Sequence, residues 1–196
     1  MFDRILSIII LLLVSPVLVI VSILILIYDG FPIFFTQDRV GKNGKLFRVI
    51  KFRSMVNNAE QILKSNKVMY EKYIQNDFKL KPEADPRILP FGLFIRKTSI
   101  DELPQFINVL KGDMSVVGPR PVLPDELKFL YGKDSNIYCS VKPGITGLWQ
   151  ASGRSELKGI QRVKLDIEGI KRKSLFFDLY IILKTIYVVI LKRGAH

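Results

Sequence analysis

No charged side chain interrupts the 24 residues from Ile5 to Tyr28, and a Ser15-Pro16 pair sits near the middle of that run. A helix rises about 1.5 Å per residue, so such a run reaches roughly 36 Å, more than the ~30 Å of a bilayer's hydrocarbon core. Apolar residues cover every face of it, whereas a buried helix of a soluble protein keeps a single stripe. A secretory signal peptide would have a shorter apolar stretch and an A-x-A-like cleavage site, which Ser22 to Phe35 does not offer. The run is therefore read as a membrane segment. Proline inside a helix removes one hydrogen bond and clashes with the preceding turn, so a straight rod is disfavoured. Ser15 can satisfy a carbonyl that Pro16 leaves bare, which makes a re-entrant bend tolerable in lipid. A straight span would put Met1 across the membrane from the body, while a bend within one leaflet would keep both on one side. The residues alone leave both geometries open.

The rest of the 196-residue chain is long enough for one domain with its own core. It carries 30 Lys+Arg against 18 Asp+Glu, a formal charge of +12, with nearly all the excess after residue 38. A basic surface meets nucleic acid, anionic lipid or phosphorylated small molecules. No RNP aromatic pattern, zinc-finger spacing or long basic helix is present, so no nucleic acid partner is expected. Basic residues beside a membrane segment argue for a cytoplasmic body. The lone Cys139 cannot form an internal disulfide and suits a reducing compartment. His196 is the single histidine and stands at the end of the sequence, which excludes a histidine metal cluster and disfavours a histidine-dependent triad.

After Asp29-Gly30-Phe31-Pro32, Ile33 to Gln37 and Lys45 to Phe52 read as two strands around the turn Gly41-Lys42-Asn43-Gly44. Ala59 to Phe78 fits one amphipathic helix, and Lys81 to Pro90 a proline-marked loop. Gln105 to Leu110 is a short helix stopped by Lys111-Gly112; residues 112–121 read as loop. Pro124 to Tyr131 and Glu156 to Lys173 are helical, with a glycine-rich loop from Val141 to Arg154 between them. Leu175 to Leu191 is apolar but broken by Asp178 and Lys184, which suits an interfacial or a core helix better than a second span. The fold class is thus a helix-rich α+β domain on a membrane helix.

Asp101-Glu102 is the acidic pair of most interest. Ser99-x-x-Glu102 matches a capping box, with acidic side chains favoured in a first turn. Pro104 fits better if the helix begins at Asp101 or Glu102, where its missing N–H would be an orphan anyway. The carboxylates would then stand at the mouth of the helix. Gly118-Pro119-Arg120-Pro121 stiffens the backbone on both sides of Arg120, which suits phosphate recognition or simply an exposed turn. Lys142-Pro143-Gly144-Ile145-Thr146-Gly147 and Gly153-Arg154 form a region whose backbone N–H groups and Arg154 could face an anion. Lys51-Phe52-Arg53-Ser54-Met55 alternates as a strand with one wet face.

At these residues the chain resembles the bacterial sugar transferases, monotopic polyprenyl-phosphate phosphoglycosyl transferases. The resemblance runs from about Phe2 to Ala195 and is carried by several ordered blocks. They are Ser15-Pro16, Lys51 to Met55, Ile95 to Gln105, Asn108 to Pro121, Lys142 to Gln150, Ser152-Gly153-Arg154, Leu165-Asp166 and Asp178-Leu179. The short length resembles the minimal catalytic form of the family. The resemblance implies a nucleophilic Asp101, covalently phosphoglycosylated from a UDP-sugar with loss of UMP, then relieved by undecaprenyl phosphate. It implies Mg2+ with Glu102 as its ligand, and phosphate or substrate contacts from Arg120, Arg154, Lys51, Arg53, Arg96 and Asp178. It further implies a re-entrant membrane helix over residues 1–30, bent at Ser15 and Pro16, and a catalytic domain over 31–196 with an interfacial C-terminal helix. That body would lie on the cytoplasmic face of the bacterial inner membrane. One departure is visible: where the family has an aromatic pair after Leu165-Asp166, this chain has Glu168-Gly169 following Ile167. Gly147-Leu148-Trp149-Gln150 and Lys192-Arg193-Gly194-Ala195 look more like members that handle galactose or glucose phosphates. Two rival readings are a membrane-bound nucleotide-sugar phosphohydrolase and a basic membrane adaptor without catalysis.

Overall fold

The protein is described by a computed structural model covering residues 2–75, 80, 85–152 and 159–190. Its first element, α1 (Phe2–Asp29), is a helix that runs unbroken through Pro16. The proline's missing N–H would have bonded the carbonyl of Leu12, four residues back; the Ser15 hydroxyl donates to that oxygen instead, at 2.8 Å. Among the described residues α1 is the one helix long and apolar enough to cross a membrane. It does not stand clear of the body. Leu6, Ile10 and Leu11 pack on the core around Val109 and Met114, and Leu18, Val21 and Ile25 pack with Phe52 and Ile95. Leu12, Leu13, Ile20 and Ile27 face outward and are exposed. Both ends are tied to the body: Asp3 Oδ2 accepts the Ser115 hydroxyl at 2.8 Å, and Asp29 Oδ2 accepts the Asn57 N–H at 2.9 Å.

The hairpin forms as expected, with β1 (Phe34–Val40) antiparallel to β2 (Leu46–Phe52) and Gln37 opposite Val49. Asn43 and Gly44 take positive φ in the turn, which the asparagine and glycine tolerate. The region expected as one helix from Ala59 is two helices, α2 (Ala59–Ser65) and α3 (Lys67–Gln75). Asn66 is extended between them, and its Oδ1 accepts the Met69 N–H at 3.0 Å, an N-cap that amphipathic spacing conceals. Two short helices follow, α4 (Gly92–Lys97) and α5 (Gln105–Lys111), the latter stopped by Gly112 in the left-handed region.

The expected loop over 112–121 holds a strand. β3 (Ser115–Val117) pairs in parallel with β4 (Gly144–Thr146), which itself lies inside the expected glycine-rich loop. Each is three residues long and β3 is buried throughout, so neither shows a period. Between them come α6 (Pro124–Glu126), which continues into a wider helical turn over Leu127–Tyr131, and α7 (Ser135–Cys139). The chain then forms α8 (Gly159–Lys171) and α9 (Leu175–Ile190). In α9 Ile181 is fully buried and Lys184 Nζ lies 3.2 Å from Ser152 Oγ, while Phe176, Leu183 and Tyr187 are exposed. The helix therefore has an inner face that holds polar groups and an outer face that is apolar.

Candidate active site

The acidic pair stands on a tight reversal between α4 and α5. Thr98 and Ser99 close α4 through N–H bonds to Phe94 and Arg96 carbonyls, and Ser99 sits at φ 58°. The chain turns there into a single 3-10 turn, Ile100–Glu102, and enters α5 through Leu103 and Pro104. The capping box does not form: no side-chain bond from Ser99 caps the turn, and the Glu102 carboxylate accepts Lys51 Nζ at 2.6 Å. Pro104 stands at the entry of α5, where no N–H is needed. The acidic pair is thus presented sideways by a short turn and met by a lysine from β2.

The electrostatics follow from that placement. Burial first, then the neighbouring Glu102 charge, push the Asp101 carboxyl up to about 6, against the opposing pull of Lys51, Arg96 and Arg120. Asp101 remains mostly ionised at neutral pH, with three cations around it. Lys51, Glu102 and Arg120 line a shallow cleft together with Arg39, Gln105 and Gln150. Two neutral amides, two arginines, a lysine and a carboxylate make a polar wall suited to phosphate oxygens.

Arg120 owes its position to glycine. Gly118 donates to the Thr146 carbonyl at 2.8 Å, and Gly144 donates to the Pro119 carbonyl at 2.8 Å. A Cβ on Gly144 would lie 2.1 Å from Gly118 N, and one on Gly147 would lie 2.1 Å from Gly118 O. The Gly144 N–H, in the region expected to face an anion, is thus spent on the Pro119 carbonyl beside the strand pair. The Tyr138 hydroxyl lies 3.0 Å from the Arg120 carbonyl oxygen and accepts the Val122 N–H at 3.3 Å. The Arg120 guanidinium lies over the Trp149 ring at 5.6 Å, whose ring also carries Arg162 at 5.0 Å. Behind it Tyr131 donates to Asp166, whose buried carboxyl is pushed up to about 6 by desolvation despite that bond.

Other expected site residues lie elsewhere. Arg53, expected to contact substrate, is buried and gives Nη2 to the Asp29 and Gly30 carbonyls at 3.1 and 2.7 Å, with Nη1 3.0 Å from Asp29 Oδ2. It anchors the end of α1. Its long side chain reaches past the strand's own period to the helix terminus, where carbonyls lack partners. Asp178, expected near the active site, lines a second, separate pocket with Asp166, Lys173 and Phe177. Burial raises its carboxyl, opposed by Lys173. Arg96 is exposed on α4 and reaches Asp101 through charge. Arg154 lies outside the described residues. The sequence reading did not single out Arg39, Gln105 or Gln150; strand period signals Arg39, because Gln37 and Arg39 share the hairpin face of Val49 and Lys51. At the departure from the aromatic pair, a Cβ on Gly169 would lie 3.2 Å from Leu148 Cβ, so a larger residue there would press on Leu148.

The comparisons with known proteins bear on this cleft. A family model described as bacterial sugar transferase matches residues 1–192. The chain is 46% identical over 198 residues to an undecaprenyl-phosphate galactose phosphotransferase of Salmonella typhimurium, covering 100% of this chain and 41% of that protein. It is 41% identical over 199 residues to the exopolysaccharide production protein ExoY of Sinorhizobium fredii, with 100% of this chain and 86% of that protein covered. It is 38% identical over 201 residues to the UDP-glucose:undecaprenyl-phosphate glucose-1-phosphate transferase of Escherichia coli, covering 99% of this chain and 40% of that protein. The chain thus spans about two fifths of the length of two of these relatives and most of the third. Similarity that extends over nearly every residue, from α1 through the carboxylate turn to α9, makes this chain a member of the bacterial sugar transferase family.

Proposed function

We propose that the protein is a phosphoglycosyl transferase that moves a hexose-1-phosphate from a UDP-sugar to undecaprenyl phosphate. The observation that carries the reading is Asp101, ionised yet partly desolvated, under the charges of Lys51 and Arg120, which with the adjacent Glu102 line a polar cleft. An Asp101 oxygen attacks the sugar-linked phosphorus and the bond to the bridging oxygen breaks. The electron pair stays on that oxygen, which leaves as part of UMP. Attack by the lipid phosphate on the aspartyl phosphosugar then returns Asp101 to its carboxylate. Lys51 and Arg120 neutralise phosphate oxygens through both displacements, and burial keeps the nucleophile poorly hydrated. Among the described residues no three His, Cys, Asp or Glu side chains gather as a metal cage. Two adjacent carboxylates, Glu102 raising the Asp101 carboxyl by its charge, fit a hard cation that completes its shell with water and phosphate oxygens. Glu102 would hold Mg2+, which when bound supplies positive charge beside the substrate phosphates.

The same reading includes topology. The bond from Ser115 to Asp3 at one end of α1 and the Arg53–Asp29 pair at the other support a helix that dips into one leaflet and returns. The exposed apolar face of α9 supports contact with the same interface. The body would then face the cytoplasm at the inner membrane, where UDP-sugars are available. The test incubates purified protein with UDP-galactose or UDP-glucose, Mg2+ and undecaprenyl phosphate. UMP should appear only with a matching sugar, and without lipid the intact mass should rise by one phosphosugar. Asp101→Asn should abolish that adduct. An adduct that survives in the variant removes Asp101 as nucleophile, and free sugar phosphate formed without lipid favours a hydrolase.

A further inference from the structure

We propose that Arg39 and Arg120 form a second phosphate subsite in this cleft, which takes the phosphate of the leaving nucleoside monophosphate. The inference rests on the phosphotransferase reading above and adds a residue and a division of labour to it. Arg39 is near the end of β1, its side chain 14% exposed, and lines the cleft with Arg120 and Lys51. Lys51 pairs with Phe35 across the hairpin, and Arg39 is four residues further along β1. At about 3.4 Å per residue, the two cations leave the sheet about 14 Å apart on one face. Arg120 lines the same cleft and acts electrostatically on both Asp101 and Arg39.

The charge at the Arg39 end is poorly balanced. Glu126 serves Arg162 at 2.7 Å and Arg39 only at 3.5 Å. Arg39 makes one bond under 3 Å among the described residues, from Nη2 to Gln37 Oε1 at 2.6 Å, and a long one of 3.4 Å to the Pro121 carbonyl. Burial and then the like charge of Arg120 pull its guanidinium down to about 10, still cationic at neutral pH. Two arginines that line one half-enclosed cleft, with the nearest carboxylate, Glu126, held closer to Arg162 than to Arg39, are suited to an added anion. A diphosphate would set one phosphorus between Asp101, Lys51 and Arg120 and its neighbour between Arg120 and Arg39. When Asp101 bonds to the first phosphorus, the bridging oxygen takes the electron pair and becomes a terminal oxygen of the second phosphate. Arg39 would meet that new charge, and no proton needs to move.

The test measures binding of labelled UMP by equilibrium dialysis, and separately the rates of adduct formation from UDP-galactose or UDP-glucose and of adduct discharge to undecaprenyl phosphate. Wild type, Arg39→Ala and Arg39→Lys are compared at matched thermal stability. Arg39→Ala should weaken UMP binding at least tenfold and slow adduct formation. Arg39→Lys, which keeps charge but loses the planar fork, should recover part of both. Discharge should stay within twofold. If Arg39→Ala fails to fold, Arg39→Lys carries the test through a threefold or larger loss of UMP affinity. Unchanged UMP binding in a folded variant overturns the subsite, as does a wild type that binds no UMP. Slowed discharge with normal adduct formation also overturns it, by assigning Arg39 to the lipid phosphate. A wild type that binds UMP through Arg39 yet forms no adduct with any UDP-sugar would instead sink the phosphotransferase reading and leave the subsite standing.

Discussion

At the scale of single residues, burial and the adjacent Glu102 hold the Asp101 carboxyl near 6, so its charge at neutral pH is kept at the expense of stability. One pKa unit corresponds to about 1.4 kcal/mol, which puts that expense at about 3 kcal/mol. In chelator-treated protein Asp101→Asn should therefore melt about 6–12 °C above wild type at pH 7 while losing all adduct formation. The sign extends to pH. Folded Asp101 takes up its proton near 6 and the unfolded chain only near 3.8, so this group adds stability as pH falls from 7 towards 4. Asp166, also near 6, acts in the same direction. Melting curves across pH should rise towards acid in wild type and rise less in Asp101→Asn; a variant no more stable at pH 7 would refute the account. The acidic pair itself was legible in the sequence, as were Lys51 and Arg120. The failed capping box was not, because a serine at φ 58° leaves no mark in spacing. Arg53 misled because alternation describes a strand's Cβ directions, whereas its guanidinium ends on Asp29.

At the scale of elements, the paired strands β3 and β4 are what stiffen the Arg120 loop. Their backbones pass so closely that Gly144→Ala would place a methyl 2.1 Å from one backbone nitrogen and 2.5 Å from the Thr146 oxygen. Neither atom is a flexible side-chain end. Gly144→Ala should lose about 3 kcal/mol or more, with phosphate binding lost alongside. Gly169→Ala, whose methyl would meet Leu148 Cβ at 3.2 Å and the Leu148 nitrogen at an ordinary 3.9 Å, should lose less than about 1 kcal/mol. Chemical denaturation of both variants checks the contrast; equal losses would mean that the strand crossing is not the rigid part. The hairpin, α5 and its glycine stop were readable because each carries its own period and its own end signal. A three-residue parallel pair carries neither, since its partner lies almost thirty residues away and glycine supplies no pattern. The split at Asn66 was hidden because residues on both sides keep helical spacing.

At the scale of the whole molecule, α1 is fastened to the body at both termini, and the proposed return into one leaflet is argued from that fastening. Single cysteines at Phe2 and Glu60, in a Cys139→Ser background, should both resist an impermeant thiol reagent in intact cells and both react once the membrane is opened. Labelling of position 2 in intact cells would establish a full span and break the Asp3–Ser115 contact as a native feature. The apolar run and the serine beside its proline were legible from the start. The polar clip at Asp3 was not, since it joins residues 112 positions apart. That clip has a metrical side. Ser115 precedes Arg120 by five residues, and an extended chain of that length reaches no more than about 17 Å. In a bilayer the helix end therefore acts as a float on a short tether, and the surface of the lipid becomes the datum from which the height of the phosphate-binding loop is measured.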